Sequence, residues 1–178
     1  PIASGAVSML QASILLSLLY GVLIAYVWIN KPAALVLWGY IALNIAYTFQ
    51  LKHMPVIDIF TIAIGFVLRV YGGTVGLGLN PSHWMFITTL SLALFLAAIK
   101  RRQELMLNGT EGRKVLEHYS FKVVDRFAEM SATGALVFYS LFVMTVRPEL
   151  IVTIPLVLFG LFRYWYIVDL LEGGESPT

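Results

Sequence analysis

Apolar residues in this chain do not alternate with polar ones; they run on in long stretches separated by short polar breaks. Six such segments can be marked, at about Val7–Trp28, Ala33–Leu51, Val56–Tyr71, His83–Ile99, Phe127–Val146 and Leu150–Val168. Each is within or near the roughly 17–25 residues that cross a hydrocarbon core about 30 Å thick. The third and fourth are short, which predicts tilt or local thinning of the bilayer. Only helices satisfy their own backbone groups in lipid, and the short alternating segments of a membrane barrel are missing from the pattern. The expected fold class is all-α: one transmembrane domain over residues 1–178, a polytopic helical membrane bundle with six spans.

The breaks differ in character. Asn30-Lys31-Pro32 and Arg147-Pro148 read as tight turns in which proline opens the next helix, a position that tolerates its missing N–H. Gly72–Pro81 is rich in glycine but lacks the Lys-Ser/Thr that completes a phosphate-binding loop, so turn formation explains it. The stretch Tyr47–Asp58 places an aromatic hydroxyl, a cation and a carboxylate around one short turn, with Pro55 where the next segment begins. Lys100–Arg126 is the hydrophilic link, expected to form a cap loop over one end of the bundle.

Composition sharpens the class. The chain is 59% hydrophobic and 12% charged, against about 25% charged in a soluble domain, and its mean hydropathy is +0.83. A net charge of +2, carried mostly in the breaks, implies no nucleic-acid partner. Cysteine is absent, which excludes a disulfide framework, a thiol nucleophile and cysteine metal sites. The first residue is Pro1 and no signal-peptide pattern precedes the first apolar run, so a processed chain or a piece of a longer one is expected.

Lysine and arginine set the orientation. With Pro1 inside, the cytoplasmic side carries Lys52, Lys100, Arg101, Arg102, Arg113, Lys114, Lys122 and Arg126, and the outer side only Lys31 and Arg147. The Tyr47–Asp58 turn and the polar link then share the cytoplasmic face of a plasma-membrane protein.

Polar residues near or inside spans each need a reason. Asp58 is either a helix-dipole partner in the first turn after Pro55 or a ligand for magnesium or a substrate cation. Arg69 follows eleven residues later on the same face, about 16 Å away, and either snorkels to the outer headgroups or meets a substrate. Lys52 reads as a membrane anchor at a helix end, Tyr47 as a belt aromatic, and Asn44 as a side chain in need of an interhelical partner. Lys100, Arg101 and Arg102, with Arg113 and Lys114, form either a solvated inside-positive link or a phosphate clamp. Glu104, at i+4 from Lys100, is a candidate ion-pair partner. The histidines lack metal-ligand spacing, and no Ser/His/Asp arrangement occurs.

Taken in order, Pro1-Ile2-Ala3-Ser4-Gly5, Tyr47, Leu51-Lys52, Asp58, Gly65 to Arg69, Gly72-Gly73, Lys100-Arg101, Glu104-Leu105, Arg113, Leu116 and Tyr119-Ser120 resemble the UbiA superfamily of intramembrane prenyltransferases. The resemblance covers essentially the whole chain. It is strongest to the decaprenyl-phosphate phosphoribosyltransferase branch, to which Phe162–Tyr166 and Gly173–Thr178 also correspond. It implies a bundle of about nine spans around a cytoplasm-facing cavity. Members hold pyrophosphate through Mg2+ between two acidic motifs. In this branch a polyprenyl-phosphate oxygen attacks C1 of phosphoribosyl pyrophosphate, yielding a precursor of cell-wall arabinan. The resemblance implies phosphate binding by Lys52, Lys100 and Arg101, with Glu104 in the same cap. It implies metal contact or positioning of Lys52 by Asp58, a phosphate contact from Tyr47, and apolar span residues around the prenyl tail.

The sequence departs from the family in three places. The first acidic motif lies just before the stretch that begins here at Pro1, so the main magnesium site is expected upstream and a piece alone is expected to be inactive. The second motif's usual second aspartate is Ile62 here, and the spacing from Tyr47 to Lys52 is one residue longer than usual. Two other readings stand beside the phosphoribosyltransferase: a prenyltransferase acting on an aromatic or other acceptor, and a membrane transporter or scaffold. The last would spread charge through the depth of several spans, whereas charges here crowd one face. Self-association into a homo-oligomer is left open.

Overall fold

The computed structural model describes residues 8–29, 31–80, 82–108 and 114–170. They form six helices: α1 (Met9–Ile29), α2 (Lys31–Phe49), α3 (Ile57–Gly76), α4 (His83–Asn108), α5 (Phe121–Val146) and α6 (Thr153–Leu170). Short 3-10 turns lie at Leu51–His53, Lys114–His118 and Pro148–Leu150, and no strand occurs among the described residues. The all-α expectation holds, with one helix on each apolar segment. α1, α3, α4 and α5 contain stretches long and apolar enough to cross a membrane; the apolar part of α2, Ala33–Phe49, is shorter.

Three boundaries differ clearly from the sequence reading: α3 runs past Tyr71 to Gly76, taking the first half of the expected glycine-rich turn into the helix, and the other two lie in the polar link. α4 runs past Ile99 to Asn108, and α5 begins at Phe121 rather than Phe127. Lys, Arg, Gln, Glu, Leu and Met all propagate a helix well, so α4 does not stop where its apolar stretch stops. Ser120 caps α5 by accepting a hydrogen bond from the Val123 N–H at 3.4 Å. The expected cap loop is therefore helical at both ends.

The helices pack in chain order from α2 to α5, with α4 against α5 the most extensive pairing. Small residues are prominent among those the two helices bury, with Ser91, Ala93, Ala97 and Ala98 on α4 and Ala128, Ala132 and Ala135 on α5, beside larger ones such as Phe95, Ile99 and Val124. Small side chains let membrane helices approach closely. α6 docks through Tyr164 and Trp165, whose rings meet Phe95 of α4 edge-on at 5.6 and 6.0 Å. Arg102 of α4 adds a polar tie, pairing with Asp125 of α5 at 2.9 Å and with Asp169 of α6. α1 stands apart: no residue of Met9–Tyr26 is buried. It leans on α2, and its Tyr26 hydroxyl lies over Gly76 of α3, where a side chain would collide.

Candidate active site

The Tyr47–Asp58 stretch closes one end of the bundle. After the 3-10 turn, Pro55 leads into Val56, whose φ of 68° is left-handed, a strained conformation for a β-branched residue. The Val56 N–H donates to the Tyr119 hydroxyl at 2.6 Å, and that hydroxyl donates onward to Asp58 Oδ1 at 2.6 Å. Tyr119 comes from the connection before α5, in a segment whose Val115 and Leu116 are also buried. One phenol thus fixes the strained turn and the first carboxylate of α3 together. Burial first, and then the bond to Asp58, push the Tyr119 phenol well above its usual range. It stays protonated and donating.

The other oxygen of Asp58 faces Arg101 of α4, with Nε 2.9 Å from Oδ2. The two charges meet without a linear hydrogen bond. Arg101 also pairs with Glu104 one turn on, so its guanidinium lies between two carboxylates. Asp58 and Arg101 are both fully buried. Asp58 therefore holds Arg101, not Lys52. A cation already occupies the face of Asp58 where a metal would bind, and among the described residues no three carboxylates or histidines converge. The described residues do not by themselves assemble a magnesium site.

Beside this cluster a cavity of about 310 Å³ opens between α2, α3 and α4. Tyr40, Asn44 and Tyr47 line it from α2, Thr61 and Arg69 from α3, and Lys100 and Arg101 from α4, with apolar residues between them. Its lining carries three cations and no carboxylate. The structure thus brings Tyr47, Lys100 and Arg101 to one cavity and sets Asp58 and Glu104 behind Arg101. Lys52 sits on the 3-10 turn, off the cavity wall. The interhelical partner expected for Asn44 is replaced by a bond back to its own helix, the Tyr40 carbonyl at 2.7 Å. Arg113 and the Lys114 side chain, with Pro1–Val7 and residues 171–178, lie outside the described residues.

Sequence reasoning gave Tyr119 no role, although a signal was present. Val115, Leu116 and Tyr119 recur at the spacing of an inward-facing turn within an otherwise polar link.

No family model matches the chain. It is 37% identical over 145 residues to the decaprenyl-phosphate phosphoribosyltransferase of Mycolicibacterium smegmatis, covering 79% of this chain and 46% of that enzyme. With the enzyme of the same name from Corynebacterium glutamicum it shares 39% over 111 residues, 61% of this chain and 33% of the relative. The Mycobacterium tuberculosis enzyme is 32% identical over 145 residues, 79% of this chain and 48% of the relative. The chain is a homologue of the decaprenyl-phosphate phosphoribosyltransferases. The kinship read from its motifs is borne out. It spans less than half the length of these phosphoribosyltransferase relatives.

Proposed function

We propose that this chain contributes part of the active site of an intramembrane transferase that moves a 5-phosphoribosyl group from phosphoribosyl pyrophosphate to a polyprenyl phosphate. The observation that carries the reading is the charge of the α2–α4 cavity: three cationic side chains, two of them at the charged end of the bundle, and no carboxylate in its lining. Such a wall suits an anionic ligand with several phosphate oxygens. The names of the relatives support transfer of a phosphoribosyl group with decaprenyl phosphate as acceptor, and phosphoribosyl pyrophosphate as donor is part of the proposal.

In the proposed reaction a phosphate oxygen of the lipid attacks C1 of the ribose. The bond from C1 to the pyrophosphate oxygen breaks, and its electron pair leaves with pyrophosphate. Lys100 on the cavity wall neutralises charge growing on the leaving group, and Tyr47 donates to a phosphate oxygen. Arg101 presents a guanidinium already oriented by Asp58 and Glu104. Donors fixed before the reaction are worth more than donors that must reorganise during it. Magnesium accompanying the diphosphate belongs to the same proposal; with Tyr119 on Oδ1 and Arg101 beside Oδ2, Asp58 would serve it only by giving up one of those contacts. The cytoplasmic placement of the site, in the plasma membrane, and the use of the product for cell-wall arabinan belong to the same proposal.

The test is transfer of label from ribose-labelled phosphoribosyl pyrophosphate to decaprenyl phosphate by the full-length protein in membranes with magnesium. Label entering the lipid fraction is expected. Failure of that transfer, together with prenyl transfer from a prenyl diphosphate to an aromatic acceptor, would favour the prenyltransferase reading instead.

A further inference from the structure

Arg69 lies well inside α3, about 16 Å along the axis from Asp58. A cation at that depth usually reaches for the nearer headgroups. Here the exposed side chain lies against its own helix and α2. Its guanidinium carbon is 5.0 Å from the centre of the Phe66 ring, one turn back toward Asp58, and 5.3 Å from the centre of the Tyr40 ring. Its Nε and Nη2 donate to the Tyr40 hydroxyl at 3.1 and 2.7 Å. Among the described residues no carboxylate pairs with it. The side chain is thus folded back and oriented, with its charge uncompensated, on the wall of the cavity that also holds Lys100 and Arg101.

Intramembrane charge of this kind is costly and marks a site by default. From Thr61 to Arg69 the α3 wall of the cavity runs about 12 Å. Lys100 and Arg101 occupy one end and Arg69 the other. We propose that Arg69 is a second phosphoryl seat, separate from the pyrophosphate seat at Lys100, that binds a phosphate monoester through the planar fork of its guanidinium. The inference rests on reading this cavity as a phosphate site. Two sources offer that chemistry: the sugar phosphate of the donor and the head of the lipid acceptor. A ligand with a single anionic end, such as a prenyl diphosphate, would leave the seat empty, so Arg69 would act in substrate selection.

The experiment measures binding rather than turnover. Full-length protein in lipid nanodiscs, with Arg69→Gln and Arg69→Lys variants, is titrated with inorganic pyrophosphate, ribose 5-phosphate and farnesyl phosphate, and melting temperatures are recorded. In Arg69→Gln, pyrophosphate should bind within about twofold of the unaltered protein, while at least one monoester weakens about tenfold or more, roughly 1.4 kcal/mol. Arg69→Lys, which keeps the charge and loses the fork, should fall between and guards against misfolding of the glutamine variant. Loss confined to ribose 5-phosphate assigns the seat to the donor, and loss confined to farnesyl phosphate assigns it to the acceptor. Unchanged binding of all three probes overturns the proposal. So does a parallel loss of all three, which would make Arg69 a packing residue. If the unaltered protein binds no pyrophosphate, the transfer reading fails as well.

Discussion

Lys100 and Arg101 are neighbours in sequence with different surroundings. Lys100 lines the cavity, and no carboxylate among the described residues pairs with it. Arg101 lines the same cavity but is fully buried between Asp58 and Glu104. Lys100→Ala should therefore raise the donor KM about tenfold or more, the size of a lost charge-assisted hydrogen bond, and leave the melting temperature nearly unchanged. Arg101→Ala strands a buried carboxylate, and breaking a buried pair from one side costs roughly 3–5 kcal/mol. Its main effect should be on stability, read as a lower denaturation midpoint in detergent before any kinetics are compared. Equal stability with matching KM increases in the two variants would refute this division. The buried partner was invisible along the chain because Asp58 and Arg101 sit on different helices. Only the fold makes Asp58 a holder of Arg101 rather than of the nearby Lys52.

At the scale of elements, the six helices were legible because continuous apolarity is a strong signal at membrane length. The ends of α4 and α5 were not. Charged residues end an apolar segment without ending a helix, and the Arg101–Glu104 pair supports the helix beyond the segment. The Tyr119 clamp was equally hidden, because its two bonds span 61 and 63 residues. Tyr119→Phe leaves the Val56 N–H and Asp58 Oδ1 each without the hydroxyl, at an expected cost of about 1–3 kcal/mol. The pH dependence has a definite sign. A phenol whose folded-state pKa is raised contributes stability that is complete below its unfolded value, about pH 10, and is lost as pH climbs through the folded value. The gap in thermal stability between the native protein and Tyr119→Phe should hold steady from pH 7 to 10 and narrow above that. A gap that stays flat up to pH 11 would mean the hydroxyl is not held as described.

Across the whole molecule, polarity is sorted by end rather than by depth. The Val56–Tyr119 and Asp58–Arg101 contacts bring the Leu51–His53 turn, the last turns of α4 and the segment before α5 to one end of the bundle. Gly78 and Leu79 follow the far end of α3. Apart from Arg69 and Arg163, which lie within spans, the cations of the described residues thus gather at the first end, leaving Lys31 and Arg147 to the other, and a surplus of Lys and Arg marks the cytoplasmic side. The exposed apolar surface of α1 suits lipid or further helices equally, so it says nothing about direction. A direct measurement of direction is simple here because the chain contains no cysteine. Glu117 and Leu79 are both exposed and belong to opposite ends. With a membrane-impermeant maleimide on intact cells, Leu79→Cys should be labelled and Glu117→Cys protected; permeabilisation should expose Glu117→Cys. The reverse pattern would turn the bundle over. It would place Lys100 and its cavity on the outer side, out of reach of a cytosolic phosphoribosyl donor, and the proposed reaction could not then occur as drawn.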